Sequence, residues 1–469
     1  MGFVLSILYF VTSYLTPPTL FGPLAAYRIE LILAVLVLAV SLPALTKSFI
    51  LKTPQSLALI GLAIAASFSV LIAQHWLGGA VKAFLDFIPN AFAFFLVCLH
   101  CNSKRKLQVV ILMLLFVCLF VIAHGGIDLL RGVPESGVAQ PGTTESVDTD
   151  EWNREHPYLI AMKSDQGELG YRIRGLGVIN DPNDFGQLTV CVIPLMFIFW
   201  RAKKMFQNIA FVILPLCGLL FGVYLTHSRG ALLALIAMAI VAARRRIGTL
   251  PALLLAGALF AASIALNFTG GRGISAQSGS DRTSLWGEGL QILKAHPLFG
   301  VGLGNMPDYT DTRQTAHNSV MVCAVELGLF GLYFWSLFLF PTIRDALAVA
   351  SPTKVTEGEP IVPEELRLPQ PAWKVQALDK AEINRLGRLL VLSLTGFLVA
   401  AWFLSRAYVM TFFLLGGMAE VVFQMALDRG MIAPRLPLAR TLVYAGVLMI
   451  SLLAAMYVLL RIVNLTHMS

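Results

Sequence analysis

The chain has 469 residues, 57% of them hydrophobic and 13% charged, with a formal net charge of +8. Ordinary soluble domains carry about 25% charged residues, so the composition excludes a soluble enzyme and indicates an integral membrane protein. The basic excess calls for no nucleic acid, because it gathers in short loops of the kind that the positive-inside rule places in the cytoplasm.

Hydropathy predicts apolar spans near residues 2–16, 29–45, 56–76, 80–99, 107–130, 184–200, 208–226, 230–243, 249–268, 316–340, 387–404, 407–427 and 441–463. Most are long enough to cross a hydrocarbon core of about 30 Å. The predicted fold class is all-α: a polytopic transmembrane helical bundle of about 12–13 spans with two long extracytoplasmic loops. The first segment, MGFVLSILYFVTSYL, lacks the basic start of a signal peptide and is read as a retained helix. Lys47 and Lys52, KRK at 104–106, RAKK at 201–204, RRR at 244–246, and Arg429, Arg435 and Arg440 fall on alternate loops, which orients those loops to the cytoplasm.

The expected organisation follows. N-terminal transmembrane helices occupy 1–130, a first extracytoplasmic loop 131–181, central helices 182–268, a large extracytoplasmic loop 269–315, one helix 316–341, a cytoplasmic insertion 342–386 and C-terminal helices 387–469. The insertion is rich in proline and mixed in charge, which suits a mobile segment. None of the six cysteines lies in the two outer loops, so no disulfide framework is implied.

The unusual residues collect on the outer side. Arg172 and Arg174 end the first loop, and Arg282 and Arg313 lie in the second. Arg229 and Arg406 interrupt the apolar runs 208–243 and 387–427, each too long for one span, so each run is read as a helical hairpin with Ser-Arg at its outward tip. A single such arginine would be read as snorkelling to lipid headgroups. Six on one face point to anion binding.

His317 and Asn318 stand where the polar loop TDTRQTAHN becomes apolar, with His317 expected in the first turn of a transmembrane helix. The positive end of the helix dipole disfavours imidazolium there and leaves a neutral ring able to accept a proton. Glu326 lies nine residues further on, about 15 Å deep. A carboxylate at that depth is expected to face the bundle interior, paired with an arginine or lining a wet cavity.

In NDPNDFG, residues 180–186, Asp181 and Asn183 have two readings. They can form the turn and cap of the next helix, or orient a sugar hydroxyl. Other signals are weaker. CLHC at 98–101 has no second pair to complete a metal site, and DTD at 148–150 has no companion ligand. GVGLGNM at 300–306 follows no strand and is read as a flexible turn. No metal and no cofactor is called for.

Four motifs in order, GLGVINDPNDFG, HSRGALLAL, DRTSLWGEGLQILKAHPLFGVGLGNM and AHNSVMVCAVELGLFG, resemble the O-antigen ligase and polymerase superfamily of bacterial membrane glycosyltransferases. The resemblance covers residues 172–331. It implies an inverting, metal-independent transfer of a glycan from a polyprenyl-pyrophosphate carrier, at the extracytoplasmic face of the bacterial cytoplasmic membrane. By motif, the functional residues fall on His317, Arg229 and Arg282, with the acidic position on Glu326. Arg172, Arg174, Asp181, Asn183, Arg313, Asn318 and Arg406 are the expected substrate-binding helpers. The partners implied are the lipid-linked donor, a glycan, lipid A core or protein acceptor, membrane lipids, and chain-length regulator or flippase proteins. Ligase, repeat-unit polymerase and protein glycosylation all remain open. A different class is a transporter or flippase for a lipid-linked or anionic substrate, which would be expected to show two pseudo-symmetric halves with helices broken at the midplane.

Overall fold

A computed structural model describes residues 1–131, 156–163, 169–270, 276–351 and 380–467. The thirteen predicted spans fall on helices Gly2–Leu15, Ile29–Lys47, Pro54–Gln74, Leu77–His100, Lys104–Arg131, Pro182–Leu195, Met205–Leu225, Arg229–Ile247, Thr249–Ala265, Ser319–Ala350, Lys380–Ala401, Met410–Asp428 and Leu438–His467. Ten helices among the described residues are long and apolar enough to cross a membrane. The fold class is therefore the expected one, an all-α polytopic bundle. Gly2–Leu15 and Thr249–Ala265 are apolar but shorter, and Arg229–Ile247 ends on a basic triplet.

Local chemistry sets the helix starts. Thr53, Asp181, Ser228 and Asn318 each cap a helix by accepting a hydrogen bond from a first-turn N–H, and Pro54 and Pro182 occupy the first helical position, where no N–H is needed.

The chain divides into two compact units. The first comprises Met1–Ala39, Arg105–Gly273 and Leu392–Ala400. Within the predicted first extracytoplasmic loop, Leu159–Lys163 and Leu169–Ile173 form an antiparallel hairpin in which Arg172 faces Ile160 in register. Ile173 packs on Gly125 of the Lys104–Arg131 helix, which holds the hairpin down. Helices Met205–Leu225 and Arg229–Ile247 meet at the tip 226–228, as the hairpin reading requires. Gly186 lies against this tip, where a Cβ would stand 3.0 Å from Ala231 and 3.3 Å from the Thr226 hydroxyl. Small residues at such crossings matter in a bilayer, where lipid competes for every apolar face and close backbone approach drives association.

The second unit comprises Val40–Lys104, Ile274–Val391 and Ala401–Ser469. Helix Ser319–Ala350 runs through its centre, against Pro54–Gln74, Met410–Asp428 and Leu438–His467. Edge-on rings of Phe87, Phe94, Phe338, Phe412 and Phe413 fill the interior. The Ser319–Ala350 helix reaches beyond the predicted 316–341 because Thr342 and Asp345 are buried and bonded within the protein. The following helix starts at Lys380, and residues 352–379 between the two helices lie outside the described residues.

That central helix is broken at Gly328, whose φ is 67°. The break frees carbonyls and N–H groups that a hydrocarbon core cannot satisfy. Residues 297–302 lie into it: Val301 and Gly302 donate to the Val325 and Glu326 carbonyls at 3.0 Å, and Leu329 and Phe330 donate to the Pro297 and Leu298 carbonyls at 2.8 and 3.1 Å. The GVGLGNM stretch is thus a strap laced to the broken helix and not a flexible turn. The predicted second extracytoplasmic loop also contains a helix, Ala276–Ala295, that hydropathy did not predict.

Of the weaker motifs, Cys98 and Cys101 are buried free thiols, and His100 bonds the Ser41 hydroxyl at 2.8 Å. The DTD stretch at 148–150 lies outside the described residues.

Candidate active site

In the first unit, the tip between helices Met205–Leu225 and Arg229–Ile247 is held from two directions. His227 has a left-handed backbone, φ 46°, and its Nδ1 bonds the Phe268 carbonyl at 2.8 Å. Arg172 is buried and reaches the same tip, donating from Nε to the Thr226 carbonyl at 2.7 Å and from a terminal nitrogen to Asn183 Oδ1 at 3.0 Å. Asp181 accepts the Asn183 N–H at 2.7 Å, so the capping reading of NDPNDFG is realised, and Asn183 is left to hold Arg172.

Arg174 donates to the Pro157 carbonyl at 3.1 Å. Its half-burial lowers the guanidinium pKa, an effect that nearby Asp181 opposes. Arg229 is the first residue of its helix, half-buried directly after the Ser228 cap. A cation at the positive end of a helix dipole is unfavourable alone. Helix N-termini and guanidinium groups both bind anions, so a residue at this position suits an anionic ligand.

In the second unit, the residues around His317 are tied to residues 402–407, the tip between helices Lys380–Ala401 and Met410–Asp428. His317 is not in the first turn as expected. It stands one residue before the cap, with φ 47°. The helix begins only at Ser319 because the Asn318 carbonyl oxygen Oδ1 caps the Met321 N–H at 3.0 Å. The imidazole is exposed next to the start of the Ser319–Ala350 helix.

The backbone around that imidazole is fixed at successive points. Trp286 donates from Nε1 to the Ala316 carbonyl at 2.7 Å, and the His317 N–H donates to Ser405 Oγ at 2.9 Å. Asn318 donates from Nδ2 to the Trp402 carbonyl at 3.0 Å, and Ser319 Oγ donates to the Leu404 carbonyl at 2.8 Å while accepting the Arg406 N–H at 3.2 Å. Asn318 is fully buried, with both ends of its amide used inside the protein.

Arg282 lies one helical turn before Trp286 and sits over the Phe403 ring at 5.9 Å, next to the Trp286–Trp402 edge contact. Arg313 is exposed on a left-handed turn, φ 54°, closed by its own N–H to the Thr310 carbonyl at 3.0 Å.

Glu326 is buried, and of the two expected alternatives the pairing with an arginine is not seen among the described residues. Its carboxylate faces the Gly304 N–H of the strap. The physical reason is the break at Gly328, which brings the strap's backbone donors to the carboxylate. Among the described residues, no cluster of histidines, cysteines and carboxylates is placed to hold a metal.

The expected site residues divide three arginines to each unit: Arg172, Arg174 and Arg229 in the first, Arg282, Arg313 and Arg406 in the second. Sequence reading missed Ser405, Thr315, Ser319 and Trp402. The only local sign was the polar Ser-Arg pair inside an apolar run, and that drew attention to Arg406 alone.

The O-antigen ligase family model matches residues 211–336, which hold Arg229, Arg282, Arg313, His317, Asn318 and Glu326. Arg172, Arg174, Asp181, Asn183 and Arg406 lie outside it. A search of curated proteins gives no match. Residues 211–336, carrying the hairpin-tip arginine and the loop-end histidine in the order the sequence motifs require, support the placement of this multi-pass membrane protein in the O-antigen ligase superfamily.

Proposed function

We propose that the chain transfers a glycan from a polyprenyl-pyrophosphate carrier to an acceptor hydroxyl at the outer face of the bacterial cytoplasmic membrane. The acceptor oxygen attacks the anomeric carbon, and its proton passes to His317. The bond from that carbon to the phosphate oxygen breaks, and the polyprenyl pyrophosphate leaves with the electron pair. One displacement inverts the anomeric centre.

Arg229 and Arg282 are assigned to the pyrophosphate, with Arg313 and Arg406 as helpers. A charge-assisted hydrogen bond contributes about 1.5–3 kcal/mol, against barrier reductions of about 8 kcal/mol or more, so several cations are needed. Arg172 and Asn318 act by holding the tip and the helix start. The donor is already activated, so no nucleotide or metal enters the scheme.

The observation that carries this reading is His317 itself: an exposed imidazole at the positive end of a helix, with fixed backbone, inside the segment that matches the O-antigen ligase family. The break at Gly328 is a feature a transporter reading would claim, as is the buried Glu326. The strap already bonds the Val325 and Glu326 carbonyls and the Leu329 and Phe330 N–H groups, so those groups are not held open for a transported ion.

Profiling carrier-linked glycans in cells with the gene deleted tests the proposal. Single repeats accumulating on the carrier indicates a polymerase, and long chains stranded there indicates a ligase. An unchanged carrier pool contradicts the donor assignment.

A further inference from the structure

We infer that Ser405 is a positioning residue for His317, an inference that rests on the reading of His317 as the base. A left-handed backbone is costly for a residue with a Cβ, and histidine holds it only where its surroundings impose it. At His317, φ is 47° and the group that meets its N–H is the Ser405 hydroxyl, 88 residues away in sequence and 2.9 Å in space.

The same hydroxyl bonds Thr315 Oγ1, so one side chain grips the chain two residues before the imidazole and at the imidazole's own N–H. Without it, that N–H would lose its partner beside the buried Asn318 and Ala316. The backbone would then relax toward an ordinary conformation and carry the ring away from its direction of approach.

The neighbouring bonds explain why Ser405 is fixed enough to do this. Leu404 accepts from Ser319 Oγ, the Arg406 N–H donates to Ser319 Oγ, and Trp335 donates from Nε1 to the Ala407 carbonyl at 3.0 Å. The tip is thus bolted to the Ser319–Ala350 helix on both sides of Ser405. Thr315, His317 and Ser319 alternate along the chain with Ala316 and Asn318, whose own polar groups go to Trp286, Met321 and Trp402. Every residue from Thr315 to Ser319 is therefore tied, and Ser405 supplies the tie at the reacting one. Small positional errors of a catalytic group reduce turnover steeply, so the effect belongs in kcat.

The test uses the purified full-length protein as wild type, H317A, S405A, S405T and T315V. For each, kcat and donor KM of glycan transfer are measured, together with hydrogen exchange of a peptide covering 314–321. S405A is expected to lower kcat by about ten- to a hundredfold with donor KM within about twofold, and to speed exchange in that peptide. S405T keeps the hydroxyl and is expected to recover both within about threefold. T315V loses one of the two bonds and is expected to lie between wild type and S405A, which keeps the comparison open if S405A does not fold. Unchanged kcat and exchange in S405A, or S405T no better than S405A, overturns the positioning role. Full activity in H317A instead removes the base reading on which the inference rests, and the two failures are told apart by which variant shows them.

Discussion

Gly300 and Gly328 bring the strap and the broken helix together from opposite partners, Gly300 against the 325–326 backbone and Gly328 against the 298–299 backbone. A Cβ on Gly300 would lie 2.3 Å from the Val325 carbonyl oxygen and 2.6 Å from that of Glu326, and a Cβ on Gly328 would lie 2.3 Å from the Leu298 carbonyl oxygen. Both have left-handed backbones, φ 66° and 67°. Each therefore excludes any side chain twice, by conformation and by space.

Gly300→Ala and Gly328→Ala are each predicted to destabilise the protein by about 2–5 kcal/mol, combining backbone strain with overpacking. Gly304 is the control, because its φ of 78° is similarly left-handed but a Cβ there meets nothing within 4 Å. Gly304→Ala should cost only about 1–2 kcal/mol. Thermal unfolding of the three variants in detergent, with equal losses in all three, would contradict the account of the strap.

Arg435 is predicted to be needed for folding and not for transfer. It bonds Asp345 at 2.7 Å and also Glu420, lies over the Phe423 ring at 4.4 Å, and shares its partners with Arg344, Gln55 and Gln424. Burial alone would lower its pKa, but the two carboxylates more than offset that and raise it, so the charge is permanent. Arg435→Met leaves Glu420 with Gln424 alone, and breaking a buried pair on one side costs about 3–5 kcal/mol. The check is the yield and melting temperature of Arg435→Met beside those of Arg435→Met/Glu420→Gln. The double variant should recover part of the loss.

Asn318→Asp and Asn318→Ala separate two jobs of one amide. Aspartate keeps the cap on the Met321 N–H but cannot donate to the Trp402 carbonyl, while alanine loses both. The cap is worth about 1 kcal/mol. Alanine should lower melting temperature by the loss of both bonds and aspartate by a buried carboxylate set against the Trp402 carbonyl, and both should lower transfer because each removes one of the ties between the helix start and the 402–407 tip.

Arg172 and Arg229 should respond differently to substitution. Arg172 spends its guanidinium on the Thr226 carbonyl and Asn183, so Arg172→Gln is predicted to loosen the tip and lower kcat. Arg229→Lys keeps the charge but loses the flat fork that matches a phosphate, and turnover should fall by tenfold or more. Near-normal turnover in Arg229→Lys contradicts a pyrophosphate role for this residue.

The thirteen helical segments were legible because hydropathy averages over about 20 residues, the length of a span, and every predicted segment lies on a helix. The same averaging hides what happens at one residue. Gly328 breaks the helix two residues after Glu326, and nothing in GLFG distinguishes it from an ordinary interior glycine. The function of GVGLGNM was hidden because its partners are the backbone of residues 325–330, and backbone groups leave no sequence signature. His317 was singled out by type and position, but the partner of its N–H is Ser405, 88 residues away. The Leu159–Lys163 and Leu169–Ile173 hairpin was missed because the strands are five residues each and follow no clear alternation.

The central claim is that His317 takes the acceptor proton, and glycan transfer by the purified protein tests it most directly. With a polyprenyl-pyrophosphate-linked glycan and its acceptor, wild-type protein is predicted to form product, while His317→Ala forms none above background at equal fold and detergent behaviour. Product from His317→Ala at the wild-type rate would contradict the account.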